Sequence, residues 1–165
     1  MVACRDAAAW LAPEPGCRVL DIGSGVGKLC LVGSLITGAT FVGIEQRPHL
    51  VEIARELASR LGAATASFVC DDAFAIDWRD FTSLYLFNPF AEVLYPDEVQ
   101  IDSTVEYEER RFERELVRLA EKLAELRPLA RVVVYHALGC PLPEGFRRID
   151  RMWSGHSSLE LWVRG

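Results

Sequence analysis

Short apolar runs and helical periods alternate along this chain. Arg18-Val19-Leu20-Asp21-Ile22 fits a buried strand and runs straight into glycines. Residues 40–44, Ser67-Phe68-Val69-Cys70, Leu84-Tyr85-Leu86-Phe87 and the valine-rich 131–136 have the same character. Between these runs the period lengthens. Residues 4–11 suit a short helix stopped by Pro13 and Pro15, and 27–37 a helix closed by Gly38. In 48–61, Leu50, Ile53, Ala54, Leu57 and Leu61 recur at helical spacing, with Pro48 in the first turn and Gly62 just past the end. The longest predicted helix runs from about 104 to 127. Ser103 and Glu106 resemble a capping box there, Phe112, Leu116, Leu119, Leu123 and Leu126 form one stripe, and Pro128 ends it. From Phe146 to Val163 the pattern predicts two strands joined near Ser154-Gly155, because Leu159, Leu161 and Val163 alternate with Glu160, Trp162 and Arg164.

Strands alternating with helices predict an α/β fold: a doubly wound, mostly parallel seven-stranded sheet with helices on both faces. The last two strands have only a short turn between them and must form an antiparallel hairpin. Such open sheets take ligands in the crevice beyond the carboxyl ends of their strands. Residues 21–27, Glu45, 70–73 and 88–90 each follow a predicted strand, so all four groups should crowd that crevice.

The 165 residues predict one domain spanning 1–165, long enough to bury roughly 70% of its unfolded surface without a disulfide or metal staple. The formal net charge of -6 argues against a face built for duplex DNA. Arg110, Arg111 and Arg114 are interleaved with Glu106, Glu108, Glu109, Glu113 and Glu115 and read as a solvated helix face. A nucleic-acid partner is therefore not expected, and a protein or small-molecule acceptor is favoured. Five cysteines, Cys4, Cys17, Cys30, Cys70 and Cys140, show neither CxxC nor zinc-ligand spacing, and imply free thiols in a reducing, cytoplasmic setting. Arg5, Asp6 and Glu14 speak against a signal peptide, and no apolar run reaches the roughly 20 residues of a membrane span.

The chemistry is concentrated in Asp21-Ile22-Gly23-Ser24-Gly25-Val26-Gly27. Glycines allow close backbone approach to a ligand, and the following helix aims free N–H groups at it. A P-loop would need Gly at 22 and Ser or Thr at 29, which hold Ile22 and Leu29. The dinucleotide fingerprint would need Gly where Lys28 stands, which disfavours an NAD-dependent oxidoreductase.

Asp-x-Gly-x-Gly-x-Gly after the first strand resembles motif I of class I S-adenosylmethionine-dependent methyltransferases, a Rossmann-like family. Gly43-Ile44-Glu45, Cys70-Asp71-Asp72-Ala73 and Asn88-Pro89-Phe90 follow in that family's order, and the closing hairpin matches its usual sheet end. The resemblance implies an S-adenosylmethionine site made by Asp21, Gly23, Ser24, Gly25, Gly27, Glu45, Asp71, Asp72 and Ala73. Two carboxylate oxygens on Glu45 suit two vicinal ribose hydroxyls. Asp72, or alternatively Asp71, suits the exocyclic amine of adenine. Phe74 and Ile76 are either adenine cover or core.

Phe87-Asn88-Pro89-Phe90 resembles the Asn-Pro-Pro-Tyr/Phe motif of methyltransferases that modify planar amines, with one proline in place of two. The Asp-x-Gly-Ser-Gly-Val-Gly loop, Gly-x-Glu and Asn-x-Phe are also similar to non-SET lysine methyltransferases. Asn88, Pro89 and Phe90 are thus the candidate catalytic residues. His136 reads as a structural histidine before a general base. His156, Tyr95 and Tyr107 are weaker candidates, and Cys140 lacks the Pro-Cys order of a cysteine nucleophile. Trp10, Trp78, Trp153 and Trp162 read as core or rim. The expected activity is methyl transfer to an unidentified acceptor, with nitrogen the expected atom. The rival is a non-catalytic cofactor-binding partner subunit.

Overall fold

The computed structural model describes residues 2–88, 111–136, 138, 140–154 and 157–165. Helix α1 (Val2–Leu11) is followed by strand β1 (Arg18–Ile22), α2 (Lys28–Thr37), β2 (Thr40–Glu45), α3 (Pro48–Leu61) and β3 (Ala66–Cys70). Two 3-10 turns, Ala73–Ala75 and Trp78–Asp80, lead into β4 (Ser83–Phe87). Then come α4 (Arg111–Ala124), β5 (Arg131–Tyr135), β6 (Phe146–Ser154) and β7 (Ser157–Arg164).

The seven strands form one sheet in the order β3-β2-β1-β4-β5-β7-β6. The first five are parallel, and β7 runs antiparallel to both its neighbours. Alternate residues feed two cores. On one face, Val19, Phe41, Phe68, Tyr85 and Val133 pack with residues of α1, α2 and α3. On the other, Leu20, Ile44, Leu84 and Val132 pack with Trp78, Phe81 and the α4 leucines Leu119 and Leu123. This is the predicted architecture, with apolar strands buried on both sides.

Three details depart from the pattern. Regular α4 ends at Ala124, short of the predicted 127, because the Leu126 N–H bonds back only three residues to Leu123 O. Such tightening is common in a last turn, and Pro128 stands beyond it. The start expected at 104, with Ser103 and Glu106, lies outside the described residues. The two 3-10 turns were not anticipated. They are fixed by Asp72 and Asp77, whose carboxylates accept the Phe74 and Arg79 N–H groups, contacts too local to leave a periodic signal. Finally, β6 carries a bulge: Arg148 pairs with Trp162 and Asp150 with Leu161, leaving Ile149 without a counterpart. Among the described residues, no helix is long and apolar enough to cross a membrane.

Candidate cofactor and active site

The chain winds outward from β1 in two directions, to β2 and β3 on one side and to β4 and β5 on the other. The crevice of a doubly wound sheet opens at such a reversal. Ile22, the last residue of β1, pairs with Ile44 of β2 and Leu86 of β4. The glycine loop, Glu45 and Asn88 therefore leave three adjacent strands at one crest, as their placement in the sequence predicts. Cys70, at the end of β3, pairs with Glu45 and brings Asp71 and Asp72 alongside.

The loop is fastened to β2. The Gly23 and Ser24 N–H groups both donate to Ile44 O at 3.0 Å, and the Gly25 N–H donates to Glu45 Oε2 at 3.1 Å. Its glycines serve two purposes. Gly23 and Gly25 have φ of 70° and 54°, and a Cβ on either would meet nothing within 4 Å. Their free side faces open space of the kind a ligand needs. Gly27 is there for packing: a Cβ would lie 2.4 Å from the Phe68 ring. Helix α2 then begins without a side-chain cap, so its first N–H groups remain available at the crest. The Ser24 hydroxyl is buried without a hydrogen-bond partner among the described residues.

Glu45 is 5% exposed and holds several donors. Besides Gly25, it accepts the Arg47 N–H on Oε1 at 3.1 Å and lies 3.5 Å from the Arg47 guanidinium, itself buried. Asp21 is buried beneath the loop on the α2 side, with the Cys30 thiol donating to Oδ2 at 3.5 Å. Burial pushes the Asp21 carboxyl up to about 7. Burial, with Asp21 beside it, also pushes the Cys30 thiol well up. Arg47 and Cys30 carried no signal in the sequence. Only the turn after β2 and the first turn of α2 bring them to these carboxylates.

Asp71 and Asp72 are both exposed. Asp72 uses Oδ1 to cap Phe74 and Oδ2 to meet Arg118 of α4 at 3.0 Å. The Arg118 guanidinium also lies over the Phe74 ring at 4.2 Å, and Phe74 stacks on Trp78. Among the described residues, Asp71 Oδ1 accepts the neighbouring Asp72 N–H and no other donor. Phe74 and Ile76 are half-buried and packed against the core, while Trp78 lies wholly inside it.

Asn88 follows β4 in the left-handed region, with φ 41°, and donates its N–H to Tyr135 O at 3.2 Å. Its side-chain amide is half-buried and makes no hydrogen bond to a described residue. Beside it, His136 follows β5 with φ 62°, and Ser157 Oγ lies 2.6 Å from its Nδ1. The Phe87 and Tyr135 rings flank that imidazole. Pro89 and Phe90 lie outside the described residues, as do Tyr95, Tyr107 and His156.

A methyltransferase-domain family model matches residues 13–94, the stretch that holds the glycine loop, Glu45, Asp71, Asp72 and Asn88. The chain belongs to the class I S-adenosylmethionine-dependent methyltransferases. A 23S rRNA (uracil(1939)-C(5))-methyltransferase of Shewanella sp. is 39% identical over 66 residues, 40% of this chain and 14% of that protein. A protein-L-isoaspartate O-methyltransferase of Thermotoga maritima is 36% identical over 67 residues, 39% of this chain and 21% of that protein. This methyltransferase chain thus spans a minor part of the curated relatives it matches. Among solved structures, an RNA methyltransferase from Salinibacter ruber in complex with S-adenosyl-L-homocysteine matches with TM-score 0.65 and 24% identity, covering 97% of this chain and 89% of that one. TrmN from Thermus thermophilus matches with TM-score 0.67 and 19% identity, covering 97% of this chain and 48% of that one. These likenesses establish the methyltransferase fold. S-adenosylmethionine is the cofactor of this family. The open space at Gly23 and Gly25, the uncapped α2 terminus and the orphaned Ser24 hydroxyl are features that it fits.

Proposed function

We propose that this chain transfers a methyl group from S-adenosylmethionine to RNA, at a base nitrogen. The observation that carries methyl transfer is the crest at the strand reversal, where the open glycine loop, the Glu45 carboxylate and Asn88 meet. The rRNA methyltransferase relative supports an RNA acceptor, against the expectation from net charge, because net charge says nothing about where the positive groups lie. The isoaspartate relative matches over a similar length, so likeness of this extent goes with the shared cofactor and does not by itself set the acceptor.

In this reading Gly23, Ser24, Gly25 and Gly27 bring backbone against the amino-acid end of the cofactor, over buried Asp21. A carboxylate has about four lone-pair sites, so Glu45 keeps room for two ribose hydroxyls beside Gly25 and Arg47. Asp71 is the freer acceptor for the adenine amine, since Asp72 is engaged by Phe74 and Arg118. Ala73 opens the turn beside them.

When bound, the cofactor supplies an electrophilic methyl on a sulfonium. The chain's work is alignment, which for well-oriented groups is worth up to roughly 7–11 kcal/mol. The neutral Asn88 carbonyl holds an amine N–H and leaves the nitrogen lone pair free to attack, and the proton passes to water. The free cysteines fit a cytoplasmic setting. Transfer of a radiolabelled methyl to RNA, with the modified nucleoside identified by mass spectrometry, tests this. Label found only in protein would refute the RNA acceptor. Cofactor binding without transfer to any acceptor would favour a partner subunit.

A further inference from the structure

The bulge at Ile149 has a consequence for the surface of the hairpin. In a regular strand, Arg148 and Arg151 would face opposite sides. The extra residue puts them on one side, because Arg148 pairs with Trp162 and Arg151 with Glu160, two residues apart on β7. Trp153, opposite Ser158, joins the same face. Guanidinium and aromatic groups then alternate along it. Arg164 lies over Phe146 at 5.5 Å, Arg148 over Trp162 at 5.6 Å and Arg151 over Trp153 at 4.6 Å. Glu160 braces the row, meeting Arg148 at 3.4 Å and Arg151 at 3.2 Å and accepting the Trp162 indole N–H at 3.1 Å. Among the described residues the row holds three guanidiniums and one carboxylate, so it stays cationic in an acidic protein.

This row runs across the last two strands, β7 and the edge strand β6, and its last member is its most open: Trp153 is 68% exposed. It also leads to the crest. Strand β6 runs parallel to β5, so Trp153 lies at the same end of the sheet as Asn88 and His136. Ser157, which opens β7, touches His136 directly. From β4 to β6 is three strand spacings, about 15 Å. That distance is within reach of an extended strand of a few nucleotides.

We propose that the Arg148–Trp162 and Arg151–Trp153 row is a docking rail for single-stranded RNA, leading a strand toward the Asn88 crest. The exposed Trp153 ring offers a stacking face to an unpaired base, the half-buried Trp162 ring backs the row, and the guanidiniums between them answer the phosphates. A duplex hides its base faces and gains only the charge contribution. An acidic protein partner would use the arginines and leave the Trp153 ring unused. The proposal deepens the RNA-acceptor reading and rests on it.

Binding of a short fluorescein-labelled oligouridylate to the protein loaded with S-adenosylhomocysteine, followed by anisotropy across a salt series, is the test. Trp153→Ala should weaken binding about 5- to 150-fold, the range for losing one stacked base. Arg151→Gln should weaken it and lower the log-log salt slope by about 0.7. Both variants should keep wild-type affinity for S-adenosylhomocysteine, which shows that the fold and the crest are intact. A duplex of the same length should bind more weakly than the single strand. Equal oligouridylate binding by wild type and Trp153→Ala, or no binding by wild type at low salt, would overturn the rail and leave the row as protection of an exposed strand edge. Methylation of RNA with an unchanged KM in Trp153→Ala would also sink the rail while sparing the RNA-acceptor reading. Ring-dependent RNA binding without methyl transfer would do the reverse.

Discussion

Asp21 is a carboxyl group buried where it can ionise only at a cost, and this makes folding sensitive to pH. An unfolded aspartate loses its proton near pH 4, whereas burial holds the folded one until about 7. Between those values the unfolded chain binds fewer protons than the folded chain. This group's contribution to stability therefore falls as pH rises from about 4 to 7 and is level above. The slope from this one group approaches 1.4 kcal/mol per pH unit at most. Asp21→Asn, which cannot ionise, should lose that slope and exceed wild type in stability at pH 8, as urea unfolding at a series of pH values would show. Glu45 is the opposite kind of carboxylate, held by Gly25, Arg47 and the loop it fastens. Glu45→Gln keeps the shape and one carbonyl oxygen. It should weaken S-adenosylhomocysteine binding on the order of 10- to 150-fold, read by calorimetry, because hydrogen bonds to a charged group are worth about 1.5–3 kcal/mol. Unchanged affinity in the folded variant would remove Glu45 from the ribose. At Asn88 the left-handed backbone complicates alanine, which is disfavoured there. Asn88→Gly tolerates the backbone and deletes the amide. It should leave cofactor affinity nearly intact and lower kcat strongly on the RNA acceptor; full turnover would reduce Asn88 to a turn residue.

Among the elements, α2 is set by what its inner face meets. Gly33 lies against the Phe41 ring, where a Cβ would come within 2.2 Å of ring carbon, and Phe41 is wholly buried. Gly33→Ala gains helix propensity but must displace that ring. Overpacking of this kind typically costs about 1–3 kcal/mol, and roughly 2–4 °C in melting temperature per kcal/mol for a chain of this size. A melting temperature at or above wild type would show that the ring moves freely. Helices α2 and α3 were legible because their apolar spacing and closing glycines are local; Gly38 and Gly62 both adopt the left-handed conformation expected at such ends. The 3-10 turns after β3 were not legible, since one aspartate accepting one N–H leaves no period to read.

At the scale of the whole molecule, a ligand seated across the loop, β2 and β3 ties together parts of the sheet that fold from distant sequence. S-adenosylhomocysteine at about 100 times its dissociation constant should stabilise the fold by about 2.7 kcal/mol, a rise of roughly 5–11 °C in melting temperature. A shift with NADH and none with S-adenosylhomocysteine would contradict the cofactor assignment. The sequence by itself determined the alternation of strands and helices, the antiparallel end and the glycine loop between β1 and α2. All of these follow from spacing along the chain and from the few ways such a pattern can bury both faces of a sheet. Tertiary structure alone decided what depends on neighbours far apart in sequence. It buried Asp21 against Cys30 and raised its proton affinity. It closed Glu45 onto the Gly25 N–H, and it gave Asp72 to Arg118 and left Asp71 freer. It also placed one extra residue in β6, and that residue turned arginines of mixed facing into a single cationic, aromatic row. A bulge follows from how two strands register against each other, and that pairing is fixed only when the sheet is assembled.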